Sequence, residues 1–488
     1  MKISRFVLIC LALFPVLSYA QVAAPECAIY QYSNPTDNVC TNFTSQEQKV
    51  AGNIGAPIDT GDTAWMLTAT AFVMIMSPGL AFFYGGLCGA SNVSNTIMMS
   101  FVSIAIVTLQ WILVGYSFGF GPGNAGFGSF KWGALQNVGQ LPSGAYAPTI
   151  PHLQFMMFQN MFAQITPALI SGSLIGRMKF HSYVIFILLW SILVYDPLAH
   201  WVWSLTINQD WAVVPLGFLG NLPALDFAGG TVIHISSGFS ALVAALMLGK
   251  RYNAHEPLRA HNVPMVMIGV TLLMFGWYGF NAGSAGAANG IAVLAFVNTH
   301  IAACTGLLMW LILETIFEGH QTPIGAANGI VAGLVGITPA CGFINPMSSI
   351  AFGIIPSIFS YGAIKVKDKL GYDDTLDSYS LHGIGGVCGA IMTGLFANSA
   401  VNPAIPDGAF FGNPKLLLFQ LAAITTAIAI STIGTFVILL VLKYTIGIRV
   451  SDEVEKIGLD ESAHGGSSYH GHNNFSITQR QQPIIPTV

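Results

Sequence analysis

Eleven stretches of apolar residues, most long enough to cross a bilayer, recur along the chain, near residues 63–87, 94–120, 152–176, 182–203, 227–249, 262–283, 289–316, 324–342, 345–365, 378–397 and 414–446. About 20 residues of α-helix cross a hydrocarbon core, so these stretches predict an all-α polytopic membrane protein with 11 transmembrane helices. The stretch from 324 to 365 can be divided in more than one way. Composition agrees with lipid as the solvent: only 8% of the 488 residues are charged, roughly a third of the fraction in a soluble domain. The 53 glycines predict helices that cross closely, since small residues let backbones approach in a membrane. A net charge of -4 offers no basic footprint for nucleic acid.

Residues 1–20 carry Lys2 and Arg5, an apolar run from Phe6 to Leu17, and then Ser18-Tyr19-Ala20. That pattern reads as a cleaved signal peptide, with an uncleaved anchor as the alternative. Residues 21–62 then form an extracytoplasmic segment containing Cys27, Cys40 and the sequon Asn42-Phe43-Thr44, where a local disulfide is permitted. Cys88, Cys304, Cys341 and Cys388 fall in or beside apolar segments and read as packing residues. Cations set the orientation. With Asp62 outside, the inner loops hold Arg177, Lys179, Lys250, Arg251, Arg259, Lys365, Lys367, Lys369, Lys443 and Arg449, and the outer side holds Lys49, Lys131 and Lys415. The positive-inside rule then places the N-terminus out and the C-terminus in. The membrane domain covers 63–446, and residues 447–488 form a cytoplasmic tail, regulatory or disordered.

An odd number of spans admits two five-helix halves and one extra helix. Asp226 precedes His234 by the same interval that separates Asp374 from His382, in the fifth and tenth spans. Ile165-Thr166-Pro167-Ala168 in the third span is echoed by Ile337-Thr338-Pro339-Ala340 in the eighth. Halves with five spans each must be inverted relative to one another, and such repeats place transport sites at their interface near the midplane.

Ionisable groups in the hydrocarbon are costly and mark function by default. His152, His200, His234, His300 and His382 lie in or beside spans. For any one of them a satisfied structural histidine is the commoner role, but His234 and His382 hold matching positions in the two halves. A neutral imidazole has one donor and one acceptor, so a facing pair can share a proton and line a narrow path. Gly229 and Gly230 before His234, and Gly383, Gly385 and Gly386 after His382, suit close backbone approach or ordinary packing. Asp226 and Asp374 read as helix caps, with Asp226 also placed to attract cations at the outer mouth. Phe158 and Phe162 share one face of the third span, Trp203 ends the fourth, and Trp277 and Phe280 precede Ser284 on the sixth. Aromatic faces hold a cation at roughly 0.5–2 kcal/mol, far below the tens of kcal/mol needed to carry an ion into dry protein.

At these residues the chain resembles the ammonium transporter (Amt/Mep/Rh) family, on its Amt branch. The matching stretches are Asp62-Thr-Ala-Trp-Met-Leu, Pro78-Gly-Leu-Ala-Phe-Phe-Tyr-Gly-Gly, Phe158-Gln-Asn-Met-Phe-Ala-Gln-Ile-Thr166, Ala199-His-Trp-Val-Trp203, Leu225-Asp-Phe-Ala-Gly-Gly-Thr-Val-Ile-His234, Trp277-Tyr-Gly-Phe-Asn-Ala-Gly-Ser284 and His382-Gly-Ile-Gly-Gly-Val-Cys-Gly389. The resemblance implies a homotrimer in the plasma (inner) membrane that passes ammonium or ammonia through one pore per subunit, with no cofactor, no metal and no enzymatic step. It implies substrate recognition at Trp203, Phe162 and Ser284 with support from Asp226, a gate of stacked rings at Phe162 and Phe280, conduction along His234 and His382, and further lining from Phe158 and Trp277. Gly458-Leu-Asp-Glu-Ser-Ala-His-Gly465 resembles the Amt tail that couples subunits and meets PII-type signalling proteins. Cys88-Gly-Ala-Ser-Asn92 departs from the family, which often has basic residues there. The His464, His470 and His472 tract reads as a solvated tail more readily than as a metal site. Two further readings stand beside transport. Paired membrane histidines can ligate a haem, which predicts a coloured protein, and an ammonium sensor would need a separate partner for its output.

Overall fold

The computed structural model describes residues 58–469 except 144, 209–211 and 257–258, together with two short strands, Gln31–Ser33 and Cys40–Asn42. The expected signal peptide over 1–20, the Cys27–Cys40 pairing, and His470 and His472 lie outside the described residues.

Eleven helical segments run in the expected order: α1 (Thr60–Leu87), α2 (Ala90–Phe120), α3 (His152–Ile170), α4 (Phe180–Trp203), α5 (Gly230–Leu248), α6 (Val263–Gly283), α7 (Gly290–Phe317), α8 (Pro323–Ile337), α9 (Ser348–Leu370), α10 (Tyr379–Phe396) and α11 (Lys415–Thr445). Nine of them are long and apolar enough by themselves to cross a membrane. The other two depart for identifiable reasons. α3 carries Gln154, Asn160 and Gln164, all buried, so its polar side chains turn towards protein and lower its apolar character without facing lipid. α8 has only 15 helical residues, about 22 Å of rise, and ends at Ile337 although the apolar stretch runs to 342. The chain from Thr338 to Ile344 continues as buried turns. Irregular backbone at membrane depth survives only inside protein, and Asn298 supplies its missing donors, with Nδ2 reaching Cys341 O at 2.7 Å and Ile344 O at 2.8 Å. The ninth span likewise starts at Ser348 and runs on to Leu370.

α1–α5 and α6–α10 are the two inverted halves, and α1 packs along α6 where they join. α5 and α10 cross at the same junction, and glycine makes that crossing possible. A Cβ on Gly238 would lie 2.1 Å from Gly383 N, and one on Gly269 would lie 2.2 Å from Phe83 N. α11, the unpaired helix, packs against α4, α5 and α10 and so spans the junction from outside. Short hairpins outside the spans are the only strands among the described residues: Pro142–Ser143 with Ala147–Pro151 before α3, and Leu205–Ile207 with Val213–Pro215 before α5, besides the N-terminal pair.

The described part of the tail, to residue 469, is folded. Its two short helices, α12 (Asp452–Ile457) and α13 (Leu459–His464), fold back under the bundle. Asp460 accepts from Ser94 N at 3.0 Å and Asn95 N at 2.8 Å, capping the start of α2 from more than 360 residues away. Asn92, the end of the loop that lacks basic residues, accepts from Leu459 N at 3.0 Å. At the start of the tail Arg449 pairs with Glu455 at 2.9 Å, and Glu455 accepts from Tyr252 N at 2.6 Å. The loop departing from the family pattern is therefore a seat for the tail.

Gly238→Val is expected to lower the melting temperature in detergent, at a cost of about 1–3 kcal/mol or more from overpacking; unchanged melting would refute the close crossing. Asp460→Ala is expected to leave the bundle folded while limited proteolysis cuts the tail faster, through loss of a cap worth about 1 kcal/mol.

Candidate functional site

Each half contributes a carboxylate, a helix start and a histidine arranged alike. Asp226 sits just before α5 and takes four backbone donors: Gly229 N and Gly230 N on Oδ1 at 2.9 and 2.7 Å, and Thr231 N and Val232 N on Oδ2 at 2.9 and 3.0 Å. Asp374 does the same for α10, accepting from Ser378 N at 3.2 Å and Tyr379 N at 2.8 Å, with the Ser173 hydroxyl at 2.5 Å. The orphan N–H groups of a helix start are thus satisfied inside the protein. Burial pushes the Asp226 carboxyl up to about 6 while its four N–H donors pull it down, and burial raises Asp374 as well, against the Ser173 hydroxyl. Both carboxylates are spent on backbone. Asp226 faces its own helix, and what it presents to the mouth is its carbonyl oxygen, which accepts from Trp203 Nε1 at 2.8 Å.

Both helices open with a π-helical turn, Gly230–Ile235 and Tyr379–Ile384, and each turn contains the histidine. The widened turn rotates the side chain off the regular helical face, a common device at functional sites. His234 and His382 meet there with Nδ1 to Nδ1 at 3.2 Å, both buried, their rings 18° from parallel. Two nitrogens at that distance need one donor and one acceptor, so the rings hold opposite tautomers and exchange roles when a proton moves. His234 Nε2 has no protein partner. The imidazole also stacks on Trp277 at 5.2 Å, and Thr338 Oγ1 fixes that indole by accepting from its Nε1 at 2.8 Å. The direct contact between the imidazoles leaves no gap for a porphyrin, which removes the haem reading.

The histidines line a narrow void of about 10 Å³ walled by Leu80, Phe83, Ile165, Leu273 and Val331 together with Trp277 and Phe280. That is room for about one water-sized molecule. Above it Phe162 and Phe280 stack face to face at 4.2 Å, both buried. Above these rings Trp203 stands edge-on to Phe162 at 6.3 Å, half-buried, as is Ser284, whose hydroxyl donates to Phe280 O at 2.8 Å. Phe158 packs on Phe162 at 4.9 Å, one turn earlier on α3. Trp203, Phe162, Phe280, His234 and His382, expected together from sequence, therefore form one column: half-buried Trp203, the stacked rings of Phe162 and Phe280, a void of about 10 Å³ and the two imidazoles. His152, His200 and His300 stand apart from it. His152 bonds Tyr116 at 2.5 Å, His200 bonds backbone carbonyls and His300 bonds Tyr278.

These features have counterparts in known proteins. A model of the Ammonium Transporter Family matches residues 64–469. The chain belongs to that family. It is 48% identical to an ammonium transporter of Aquifex aeolicus, over 85% of this chain and 95% of that one. It is 46% identical to an ammonium transporter of Bacillus subtilis, over 84% and 98%. Among solved structures, Mep2 of Candida albicans superposes with a TM-score of 0.75 at 34% identity, covering 83% of this chain and 88% of that one. Ammonium transport by a multi-pass membrane protein is the function that this membership carries. Sequence reasoning missed two positions in this family member: Thr338, which braces Trp277, and Gly238, which lets the histidine helices meet. The repeated Thr-Pro dipeptide was a usable signal for the first; a lone small residue in a glycine-rich chain gave none for the second.

Thr338→Val is expected to strand the Trp277 N–H in a dry site at a cost of about 1–3 kcal/mol, read as a lower denaturation midpoint with a shifted tryptophan emission. Asp226→Ala should expose the amides of residues 229–232 to hydrogen exchange and destabilise by roughly 2–3 kcal/mol. Wild-type protection at those amides would contradict the capping role.

Proposed function

We propose that ammonium is selected at the half-buried mouth by the faces of Trp203 and Phe162 and by Ser284, gives up a proton there, passes the Phe162–Phe280 gate as ammonia, and is conducted along His234 and His382. The observation that carries this reading is the Nδ1–Nδ1 contact at 3.2 Å beneath two stacked rings. Cation–π attraction of roughly 0.5–2 kcal/mol is enough to gather a cation at the mouth. It falls far short of the tens of kcal/mol that a bare ion would meet in the dry channel. Ammonia is neutral and meets no such penalty. It can donate to, or accept from, the unpartnered His234 Nε2. The proton follows along the imidazole pair: the unpartnered His234 Nε2 takes it up, the shared Nδ1 proton passes to His382, and His382 releases its Nε2 proton, which leaves the two tautomers exchanged. Potassium has no proton to leave behind and no N–H to donate, so it stops at the gate.

Asp226 acts in this reading by holding the α5 start and the Trp203 indole, and the trimeric assembly places one such pore in each subunit. The N-terminus lies outside the plasma membrane, following residues 1–20 as signal peptide, and the tail lies in the cytoplasm. With its underside formed by α12, α13 and the loop at Asn92, the tail is the surface for a PII-type signalling protein.

Solid-supported-membrane electrophysiology on wild type, His234→Ala and His382→Ala tests the histidine role. Ammonium current with potassium excluded is expected for wild type, and loss of that selectivity or of current for both variants. Wild-type selective current in both variants would remove the proton pair from the mechanism.

A further inference from the structure

On the outer surface of the bundle, away from the pore, α5, α9 and α10 leave an apolar groove between them. The groove encloses about 670 Å³ and is lined by Leu242 and Leu246 of α5, Phe359, Gly362 and Val366 of α9, and Ile384 of α10. All three helices are long and apolar enough to be membrane spans, and Leu246, Phe359 and Val366 are exposed on this face. Gly362 is exposed, and a Cβ built on it meets nothing within 4 Å; the groove is open at its centre rather than filled by a neighbouring helix.

Its foot, on the tail side of the bundle, has a different chemistry. Tyr372 and Tyr379 close the groove there, and neither phenol makes a hydrogen bond among the described residues. Lys369 lies three residues beyond Val366 on the same stripe of α9, in its last turn. Lys250 follows the end of α5 and lines the adjoining polar cavity, with Asp368 and Asp373, which shares Tyr372 with the groove; its Nζ lies 3.3 Å from where a Cβ on Gly371 would sit. Both lysines are exposed, and among the described residues neither has an ion pair or hydrogen bond. Nearby cations are otherwise committed: Arg251 to Asp373 at 2.8 Å, and Lys367 to Asp377 at 2.5 Å. An apolar trough ending in two phenols and two uncommitted ammonium groups has the polarity profile of one lipid molecule, with a tail, an ester region and an anionic head.

We propose that this groove is a binding site for an anionic phospholipid of the tail-side leaflet, its acyl chain between α5, α9 and α10 and its phosphate at Lys250 and Lys369. Phenol hydroxyls suit the ester oxygens at the interface, and each juxtamembrane lysine attracts an anionic headgroup. The site touches the backs of the two helices that carry His234 and His382, so an occupied groove braces their crossing.

Native mass spectrometry of the full chain in non-ionic detergent, titrated separately with phosphatidylglycerol, phosphatidylcholine and palmitic acid, tests it. Wild type is expected to retain phosphatidylglycerol roughly tenfold better than phosphatidylcholine, and better than the free fatty acid. Lys250→Gln with Lys369→Gln should erase the headgroup preference, and Gly362→Phe, which fills the trough from a position with free space, should lose bound lipid altogether. Equal retention of the two phospholipids by wild type, or unchanged lipid counts in a Gly362→Phe protein that elutes as wild type, would overturn the site. A lower subunit count in Gly362→Phe would overturn it too, by placing a second copy of the chain in the groove. Because the readout is bound lipid and not current, its failure leaves the transport reading untouched.

Discussion

The crossing of α5 and α10 is the contact on which the histidine pair depends. Two helices that each begin with a capped π-turn reach the same depth from opposite faces, and their histidines touch only because Gly238 and Gly383 let the backbones close. A methyl group on Gly238 would fall 2.1 Å from Gly383 N, and reaching ordinary contact at about 3.5 Å would push the helices apart by roughly 1 Å or more. The 3.2 Å contact between imidazoles would open, and the void beneath the rings would admit water. Close packing of small residues, an unremarked property of membrane helices, here sets the spacing of the chemistry.

Capping matters for the same reason. A helix that starts inside the protein leaves donors that lipid cannot satisfy, and the two aspartates take that load. Four N–H groups on Asp226 fix where α5 begins, and so where His234 falls eight residues later. The Asp226 carbonyl in turn fixes the Trp203 indole at the mouth. One residue thereby ties the Trp203 end of the column to the histidine end. Thr338 serves comparably for Trp277.

Much of this was legible in advance. Hydropathy located the spans because backbone satisfaction in lipid demands long apolar helices, and the equal intervals from Asp226 to His234 and from Asp374 to His382 pointed to the inverted halves. The residues of the column came from motif resemblance, not from spacing. What stayed hidden was local in each case. The early end of α8 at Ile337 was masked by apolar residues that continue past it, since hydropathy reports burial and not backbone geometry. The seat of the tail on Ser94 and Asn95 joins positions more than 360 residues apart, and a polar tail looks the same in sequence whether it is solvated or docked.

The sequence by itself determined the solvent, the number of spans and the identity of the polar groups inside them, because those follow from how many apolar residues stand in a row and which exceptions interrupt them. Only the tertiary structure decided that Asp226 faces its own helix, that the imidazoles meet through Nδ1, and that the rings of Phe162 and Phe280 stack above them. Those outcomes rest on the angle and distance at which helices cross. That geometry is set by side chains far apart in the chain packing against one another, and no single stretch of sequence carries it.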